Sequence, residues 1–135
     1  MSETPDAPAT SEPEFATVDD LLGKPAAEEV VTVLMKVNGH EEPQPRKLLF
    51  RALPGDDYDA LKGKFPPKPT DKTQGWEWDP ERFPAALVAA TLVRPQLSLE
   101  EVQAMWGSKG WSPGELGNLF GVAQALCLSG FNVPK

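Results

Sequence analysis

The chain has 135 residues and is 40% hydrophobic, which is enough for the core of one modest domain. Residues 1–30 hold eight of the 20 acidic side chains but one of the 13 basic ones, so the formal charge of −7 resides near the N-terminus and the rest of the chain is neutral. A neutral body with an acidic arm does not attract a phosphate backbone, which excludes nucleic acid as the expected partner.

The sequence also indicates the cellular compartment in which the protein is expected. Cys127 is the single cysteine, so no intrachain disulfide forms and a reducing cytoplasm is the expected setting. No basic segment followed by an apolar run opens the chain. The longest mostly apolar stretch, residues 83–93, is far shorter than the roughly 20 residues that span a bilayer. We expect a cytoplasmic protein that has no membrane partner.

Residues 1–16 predict a disordered acidic arm, and residues 17–135 predict a single folded domain. The arm is rich in Ser, Glu, Pro, Ala and Thr, and Phe15 is its only large apolar residue, so it cannot bury enough surface to offset the entropy lost on ordering. The domain begins with one predicted helical turn, which has Thr17 as its N-cap and Gly23 as its stop.

A β-hairpin is predicted over residues 29–53. Side chains alternate with a period of two in residues 29–37 and again in residues 46–53, and both faces of the first strand are apolar. The pair Asn38-Gly39 is a turn signal, although two nearby prolines indicate a longer connection. Because an isolated hairpin is marginal in water, we expect these strands to pack on the helices that follow.

Three shorter segments connect the hairpin to the C-terminal unit. Residues 54–62 predict a helix, because acidic side chains stand in its first turn and a lysine stands at its end. Residues 65–75 contain three prolines and a glycine and predict a loop. An extended segment follows, in which Trp76 and Trp78 lie on the same side because successive side chains alternate.

Residues 79–130 predict a unit of about three helices. The first covers residues 84–94. Proline suits the first helical position, which Pro84 occupies, and Pro95 prevents continuation.

The second and third helices begin at paired serine and glutamate residues. Ser98 and Ser112 each precede a glutamate by three positions, which is the pattern of a capping box, and apolar residues follow at helical spacing. Gly107 and Gly130 stand where left-handed C-caps are expected. The predicted class is therefore α+β, with a two-stranded hairpin and a short helix packed against a C-terminal bundle of about three helices.

Groups for catalysis or metal binding are scarce. His40 stands beside the predicted turn, and Cys127 stands on the apolar face of the third helix, where a free cysteine usually acts as a small buried hydrophobe. A Cys–His dyad between them stays open. The acids at positions 56, 57 and 59 suit a helix N-terminus, and the sequence has no metal-ligand spacing or complete phosphate loop. We predict a non-catalytic protein with no cofactor and no metal.

Large aromatic side chains are in surplus. Four tryptophans fall within 36 residues, and each can fill the core or serve as a rigid anchor at a binding surface. We expect mainly core positions for Trp106 and Phe120, and leave both roles open for Trp76 and Trp78. A groove edged by indoles would suit an amphipathic partner helix. The candidate partner-binding residues are Trp76, Trp78, Phe83, Trp106, Trp111, Leu116 and Phe120.

A series of motifs follows the predicted hairpin, short helix and proline-rich loop. The motifs are Asp79 with Phe83-Pro84-Ala85-Ala86-Leu87, then Pro95-Gln96-Leu97-Ser98-Leu99-Glu100-Glu101-Val102, Trp106, and Trp111-Ser112-Pro113-Gly114-Glu115-Leu116 with Leu119, Phe120 and Ala123. Over about residues 30–128 this series resembles the tail assembly chaperones of long-tailed bacteriophages and related prophages. It is a pattern of apolar positions and helix caps, and the acidic arm lies outside it.

The resemblance implies a non-catalytic assembly factor of the host cell cytoplasm that is absent from the mature virion. Such chaperones coat the tape measure protein, keep its hydrophobic helices soluble and are displaced when tail tube subunits polymerise around it. The implied partner is the tape measure protein; further candidates are the major tail tube protein, a longer frameshifted form of the chain and other copies of it. The family has no active site whose residues carry over.

Two alternatives stay open. The second and third helices, joined by residues 107–111, superficially resemble a helix-turn-helix, which would make the protein a DNA-binding regulator. Against this, residues 112–127 contain no Lys or Arg to contact phosphates or guanine. The other alternative is a structural tail or connector subunit, which would be found in purified particles.

Overall fold

The computed structural model of the chain describes residues 13–129, the last of them by its backbone. It confirms the predicted α+β class. In chain order the elements are α1 (Val18–Leu22), β1 (Glu28–Met35), β2 (Gln44–Arg51), α2 (Gly55–Lys64), α3 (Pro69–Thr73), α4 (Phe83–Thr91), β3 (Leu92–Arg94), α5 (Leu99–Trp106) and α6 (Pro113–Ser129).

The three strands form one antiparallel sheet in the order β1-β2-β3. β1 and β2 pair without a break over eight positions, from Glu28 opposite Arg51 to Met35 opposite Gln44. The predicted hairpin is thereby confirmed, with a connection longer than two residues. Gly39 in that connection has a φ of +89°, a left-handed conformation that glycine adopts without strain.

β3 corrects the predicted end of the first C-terminal helix. The sequence predicts a helix to residue 94, but α4 ends at Thr91, and Leu92 already has extended backbone angles. Leu92 is buried and pairs with Phe50 of β2, so it completes the inner face of the sheet. The proline at position 95 also disfavours helical angles for Arg94 before it. Strand pairing therefore overrides the apolar helical pattern of this segment.

Two smaller predictions are also wrong. The predicted loop over residues 65–75 contains the short helix α3, whose start is closed by a hydrogen bond from the Lys68 N–H to the Asp71 carboxylate at 3.1 Å. Gly107 does end α5, but with a φ of −92°, so the chain turns there in the right-handed region. Its N–H still caps the helix by donating to the carbonyl of Gln103 at 3.1 Å.

The predicted capping boxes are confirmed. The Ser98 hydroxyl accepts from the N–H of Glu101 at 3.1 Å, and the glutamate accepts from the serine N–H at 2.9 Å. Ser112 and Glu115 repeat both bonds at the same distances. The first predicted turn is also present, since Thr17 is the N-cap of α1 and forms a capping box with Asp20. These local signals therefore fix where three helices begin.

The core lies between the inner face of the sheet and the helices α4 and α6, which pack against each other. α4 supplies its centre, because Phe83, Leu87 and Val88 have no exposed surface. Phe50 reaches the same cluster from the sheet and Leu119 reaches it from α6. The hairpin thus docks on the helical unit, as expected because an isolated hairpin is only marginally stable in water.

Part of the sequence-based account lies outside the described residues. Of the predicted disordered arm, only residues 13–16 are described, and these are exposed and have no regular secondary structure. The predicted C-cap at Gly130 and the short tail after it also lie outside.

The packing of α6 yields a direct stability test. Leu119 is 2% exposed and belongs to the core, whereas Leu128 in the same helix is 64% exposed. We expect Leu119→Ala to lower the free energy of unfolding by about 2–5 kcal/mol and Leu128→Ala to change it by less than about 0.5 kcal/mol, both measured by urea denaturation. Equal losses for the two variants would contradict the described orientation of α6.

Candidate functional site

Asp79 is the charged residue that organises the candidate site. Within the described residues it is the only ionisable carboxylate whose side chain is fully buried. One oxygen accepts from the N–H of Glu81 at 2.9 Å, and the other accepts from Nε of Arg82 at 2.9 Å. Nζ of Lys68 lies 3.9 Å from the second oxygen. The hydrogen bond from Glu81, with help from Arg82 and Lys68, holds the pKa of Asp79 below its usual range, although burial acts to raise it.

The backbone of Asp79 joins two parts of the chain. Its N–H donates to the carbonyl of Phe65 at 2.8 Å, just after α2, and its carbonyl accepts from the N–H of Phe83 at 2.9 Å, in the first turn of α4. The segment before Asp79 is therefore anchored at its C-terminal end by the bonds of Asp79. This segment carries Trp76 and Trp78, and the anchoring determines where their indoles lie.

The two indoles begin a continuous line of ring contacts, which we call the aromatic ridge and define as Trp76, Trp78, Phe83 and Phe120. Trp78 is at its centre, with ring centroids 5.0 Å from Trp76, 4.9 Å from Phe83 and 5.5 Å from Phe120. These separations lie within the range of favourable aromatic pairs. Trp76 is 40% exposed, Trp78 and Phe120 are half-buried, and Phe83 is fully buried. The ridge thus runs from the core to the surface.

α6 supplies the floor beside the ridge. We define the α6 stripe as Leu116, Phe120, Gln124 and Leu128, which recur every fourth residue and so share one slowly winding helix face. At a rise of about 1.5 Å per residue, the stripe is about 18 Å long. This length corresponds to roughly three turns of a second helix laid alongside it.

Two surface grooves follow the stripe: Leu116 and Phe120 line one, and Gln124 and Leu128 line the other. The rings of Trp78 in the second groove and Phe120 in the first are in contact, which connects the two grooves. The apolar groove has a volume of about 310 Å³ and is lined by Pro84, Trp106, Pro113, Leu116, Gly117 and Phe120. The mixed groove has a volume of about 290 Å³ and is lined by Tyr58, Lys62, Gly75, Trp76, Glu77, Trp78, Gln124 and Leu128.

The two grooves differ in charge. The lining of the apolar groove has no ionisable side chain. The mixed groove has a charged rim, where Nζ of Lys62 lies 3.5 Å from a carboxylate oxygen of Glu77. An apolar trough with a polar rim offers matching contacts to the two faces of an amphipathic helix.

Five of the seven predicted binding residues line these grooves, namely Trp76, Trp78, Trp106, Leu116 and Phe120. The other two do not. Phe83 has no exposed surface and forms the buried end of the ridge, in ring contact with Trp78 and Phe120. Trp111 packs half-buried against the core and lines neither groove.

Sequence reasoning missed other lining residues. Gln124 and Leu128 belong to the α6 stripe, and the polar glutamine interrupts its apolar pattern. A search at every fourth position from Leu116 would have found them. The sequence predicts Pro84 as a helix-start residue alone and assigns Pro113 no role at the site, yet both form groove wall. No signal in the sequence identified Asp79 as the buried anchor beyond its place before a proline.

A larger depression than either groove lies away from the ridge. It has a volume of about 700 Å³, follows β2 and β3, and is lined by residues such as Lys47, Leu49 and Arg94. None of its lining residues belongs to either groove. It contains no aromatic side chain that could anchor a partner. We assign the candidate site to the two grooves, because their linings include exposed or half-buried aromatic side chains.

The reactive groups named from the sequence occupy separate, ordinary surroundings. His40 is exposed in the connection after β1. The thiol of Cys127 accepts from the N–H of Leu53 at 3.4 Å, and burial raises its pKa, so it stays protonated at neutral pH. Among residues 13–129, no group of three or more His, Cys, Asp or Glu side chains is placed to hold a metal ion.

No helix in the described part of the chain has the length and apolar character needed to cross a membrane.

Comparison with protein-family models, with curated proteins and with solved structures finds no match to the chain.

The anchoring role of Asp79 predicts a pH dependence. Its pKa is lower in the folded chain than in the unfolded one, where it is about 3.9, so the stabilisation is complete above about pH 5 and is lost as the pH falls through the folded value. We expect Asp79→Asn to lower the free energy of unfolding at pH 7 and to show a smaller further loss on acidification. Urea denaturation at pH 7 and pH 3 measures both effects.

Asp56 is the matched control for this experiment, since it stands exposed in the first turn of α2. Asp56→Asn should keep both the stability and the acid response of the unchanged chain within about 0.5 kcal/mol. If both variants unfold with the pH dependence of the unchanged chain, Asp79 does not anchor the site.

Proposed function

We propose that this protein is a non-catalytic binding protein that holds an amphipathic helix of another polypeptide along the α6 stripe. The observation that carries the proposal is the continuity of the surface: the aromatic ridge and the two grooves lie along one helix face about 18 Å long. In this role Trp76 and Trp106 are the anchors at the two ends, and Phe120 is the contact between them.

We further propose that the bound polypeptide is the tape measure protein of a long-tailed bacteriophage and that the chain is a tail assembly chaperone. This identity rests on the resemblance of the helical motifs, and the grooves supply a physical means for the function. A long client with many apolar helices would be covered by many copies of the chain. The proposed place of action is the host cytoplasm, before the tail tube closes around the client.

Release of the client sets a limit on affinity. A single aromatic anchor contributes a few kcal/mol at most, so a site with two anchors binds one helix modestly. Many such sites along one extended client raise the overall avidity without any new contact. Polymerising tube subunits then need to displace only one weak contact at a time. The acidic N-terminal residues would keep such a complex soluble by mutual repulsion.

The DNA-binding alternative receives no support from the charge of α6. Residues 113–129 contain no Lys or Arg, and Glu115 stands in the first turn of the helix, where it would face a phosphate. A titration with duplex DNA at low salt separates the two functions, since DNA binding would weaken steeply as salt rises. The protein content of purified phage particles separates the chaperone from the structural-subunit alternative. An assembly chaperone is absent from the particles, whereas a structural subunit is present in them.

Co-expression tests the proposed client. We expect a tape measure protein from the same genome to be largely insoluble when expressed alone and to shift to the soluble fraction when this chain is co-expressed. The fraction of client in the supernatant, measured on gels, is the readout. An equal soluble fraction with and without the chain would contradict the chaperone function.

Gly117 allows the apolar groove to be filled without disturbing the fold. A Cβ at this position meets no atom within 4 Å, and the glycine lines the groove. We expect Gly117→Gln to keep or raise the free energy of unfolding, by up to about 1 kcal/mol, because glycine is a poor helix former. Its side chain should enter the groove and weaken binding of a client helix about tenfold or more, measured by tryptophan fluorescence titration.

Gly63 of α2 provides the matched control. A Cβ there also meets no atom within 4 Å, and Gly63 lines neither groove. Gly63→Gln should therefore bind the client like the unchanged chain. Equal binding by both variants would show that the client does not occupy the apolar groove.

A further inference from the structure

β1 is an edge strand whose centre carries no charge. It lies at one end of the sheet, and its pairing with β2 is regular over eight positions, without a bulge. Val30 and Leu34 point away from the core and are 52% and 69% exposed, so the outer face of the strand is apolar as well. Natural edge strands are usually protected from other strands by a proline, a bulge or a central charge. β1 has none of these devices among its residues from Val30 to Met35.

The pairing of β1 with β2 determines which of its backbone groups are free. The N–H of Ala52 donates to the carbonyl of Ala27 at 2.8 Å, so that facing pair is hydrogen-bonded. Hydrogen-bonded and non-bonded pairs alternate along an antiparallel ladder. The odd-numbered residues of β1 therefore bond to β2, whereas Val30, Thr32 and Leu34 direct their N–H and C=O groups to the open edge.

Pro45 supports this assignment independently. It lies in β2 opposite Leu34. A proline has no N–H to donate, so within a sheet it occupies a position that does not bond to the facing strand. The backbone groups of Leu34 must then point to the other side, which is the open edge of β1.

We propose that two copies of the chain associate through this edge, pairing β1 with β1 antiparallel around Thr32 to form one six-stranded sheet. In this register Val30 of one copy faces Leu34 of the other, and Thr32 faces its own symmetry mate. All of these residues direct their backbone groups to the edge, so the three pairs make about six hydrogen bonds between the copies. The two exposed apolar side chains of each strand become cross-strand neighbours.

Charge complementarity selects this partner and this register. Glu28 precedes Thr32 by four positions, and Lys36 follows it by four. Because the two strands are antiparallel and centred on Thr32, Glu28 of each copy faces Lys36 of the other. Glu28 already contacts Arg51 at 2.7 Å and is still 42% exposed, which leaves its carboxylate accessible to a second cation. Shifting the register by two residues in either direction takes Glu28 and Lys36 out of opposition.

The antiparallel arrangement also separates the acidic N-terminal segments. The two β1 strands begin at opposite ends of the paired region, which is about 26 Å long for eight residues. This distance exceeds the Debye length of about 8 Å at physiological ionic strength, so repulsion between the strand starts is largely screened. A parallel pairing would place Glu28 of one copy next to Glu28 of the other, and repulsion between the two carboxylates disfavours it. The inference does not depend on the proposed client.

Hydrogen exchange of the full chain tests both the association and its register. At low concentration the amides of Val31 and Val33 should be protected by β2, whereas those of Val30, Thr32 and Leu34 should exchange readily. At NMR-sample concentration the even-numbered amides should gain protection in parallel with dimer formation, which sedimentation equilibrium measures on the same samples. A client peptide pairing with the edge would instead protect them only when it is added, with the chain alone monomeric, and that result would overturn the proposal.

Three variants isolate the edge. Thr32→Pro removes an N–H that faces the open edge, a position where a strand tolerates proline, so it should fold yet stay monomeric where the unchanged chain is dimeric. Thr32→Val keeps the N–H and the side-chain volume and should dimerise normally. Lys36→Glu places acid against Glu28 at both symmetry-related positions and should weaken the dimer about tenfold or more.

Combining Glu28→Lys with Lys36→Glu restores opposite charges across the interface but removes the ion pair of Glu28 with Arg51 in each copy, so it should recover part of the lost association. A circular dichroism spectrum like that of the unchanged chain establishes that each variant is folded. Three results would overturn the proposal: a monomer at all concentrations, a dimer in which the even-numbered amides gain no protection, or a Thr32→Pro variant that is folded and still dimeric.

Discussion

The buried carboxylate of Asp79 is the interaction on which the arrangement of the site depends. A charge without exposed surface is tolerated because it accepts hydrogen bonds from Glu81 and Arg82 and has Lys68 nearby. Its backbone links the end of α2 to the start of α4, and the guanidinium of Arg82 also lies over the ring of Phe65 at 5.5 Å. The same junction therefore closes the fold and sets the position of the aromatic ridge.

The functional consequence of this junction is that the indoles of Trp76 and Trp78 are held rigidly at the surface. An indole on an unanchored loop would lose conformational freedom on binding, and that loss would reduce affinity. Here Trp78 is held between Phe83 and Phe120, and Trp76 rests against Trp78. The surface that would meet a partner is thus continuous with the core. This arrangement is compatible with a site that binds many similar apolar helices and changes shape little in doing so.

The sequence predicted the elements whose signals are local. Helix starts at Thr17, Ser98 and Ser112 were identified because the capping side chains bond within four residues of themselves. β3 was not identified, because residues 92–94 continue an apolar helical pattern and become a strand only through pairing with β2. Such a contact over about 40 positions in the chain is invisible to a local rule.

The candidate site was predicted in part for the same reason. Aromatic residues are conspicuous in a sequence, and five of the seven named residues line the grooves. Which of them remain exposed depends on tertiary packing, and this separated Trp76 at the surface from Phe83 in the core. The contribution of Gly117 was also hidden, since a residue that leaves space has no side chain to attract notice.

The indole N–H resonances of the four tryptophans test the central claim most directly, because each reports on a different part of the surface. On titration with an amphipathic helical peptide from a tape measure protein, we expect the signals of Trp76 and Trp106, at the two ends of the α6 stripe, to shift together and saturate. The signal of Trp111, which lines neither groove, should stay in place. Saturating binding that moves Trp111 and leaves Trp76 and Trp106 unchanged would contradict the account.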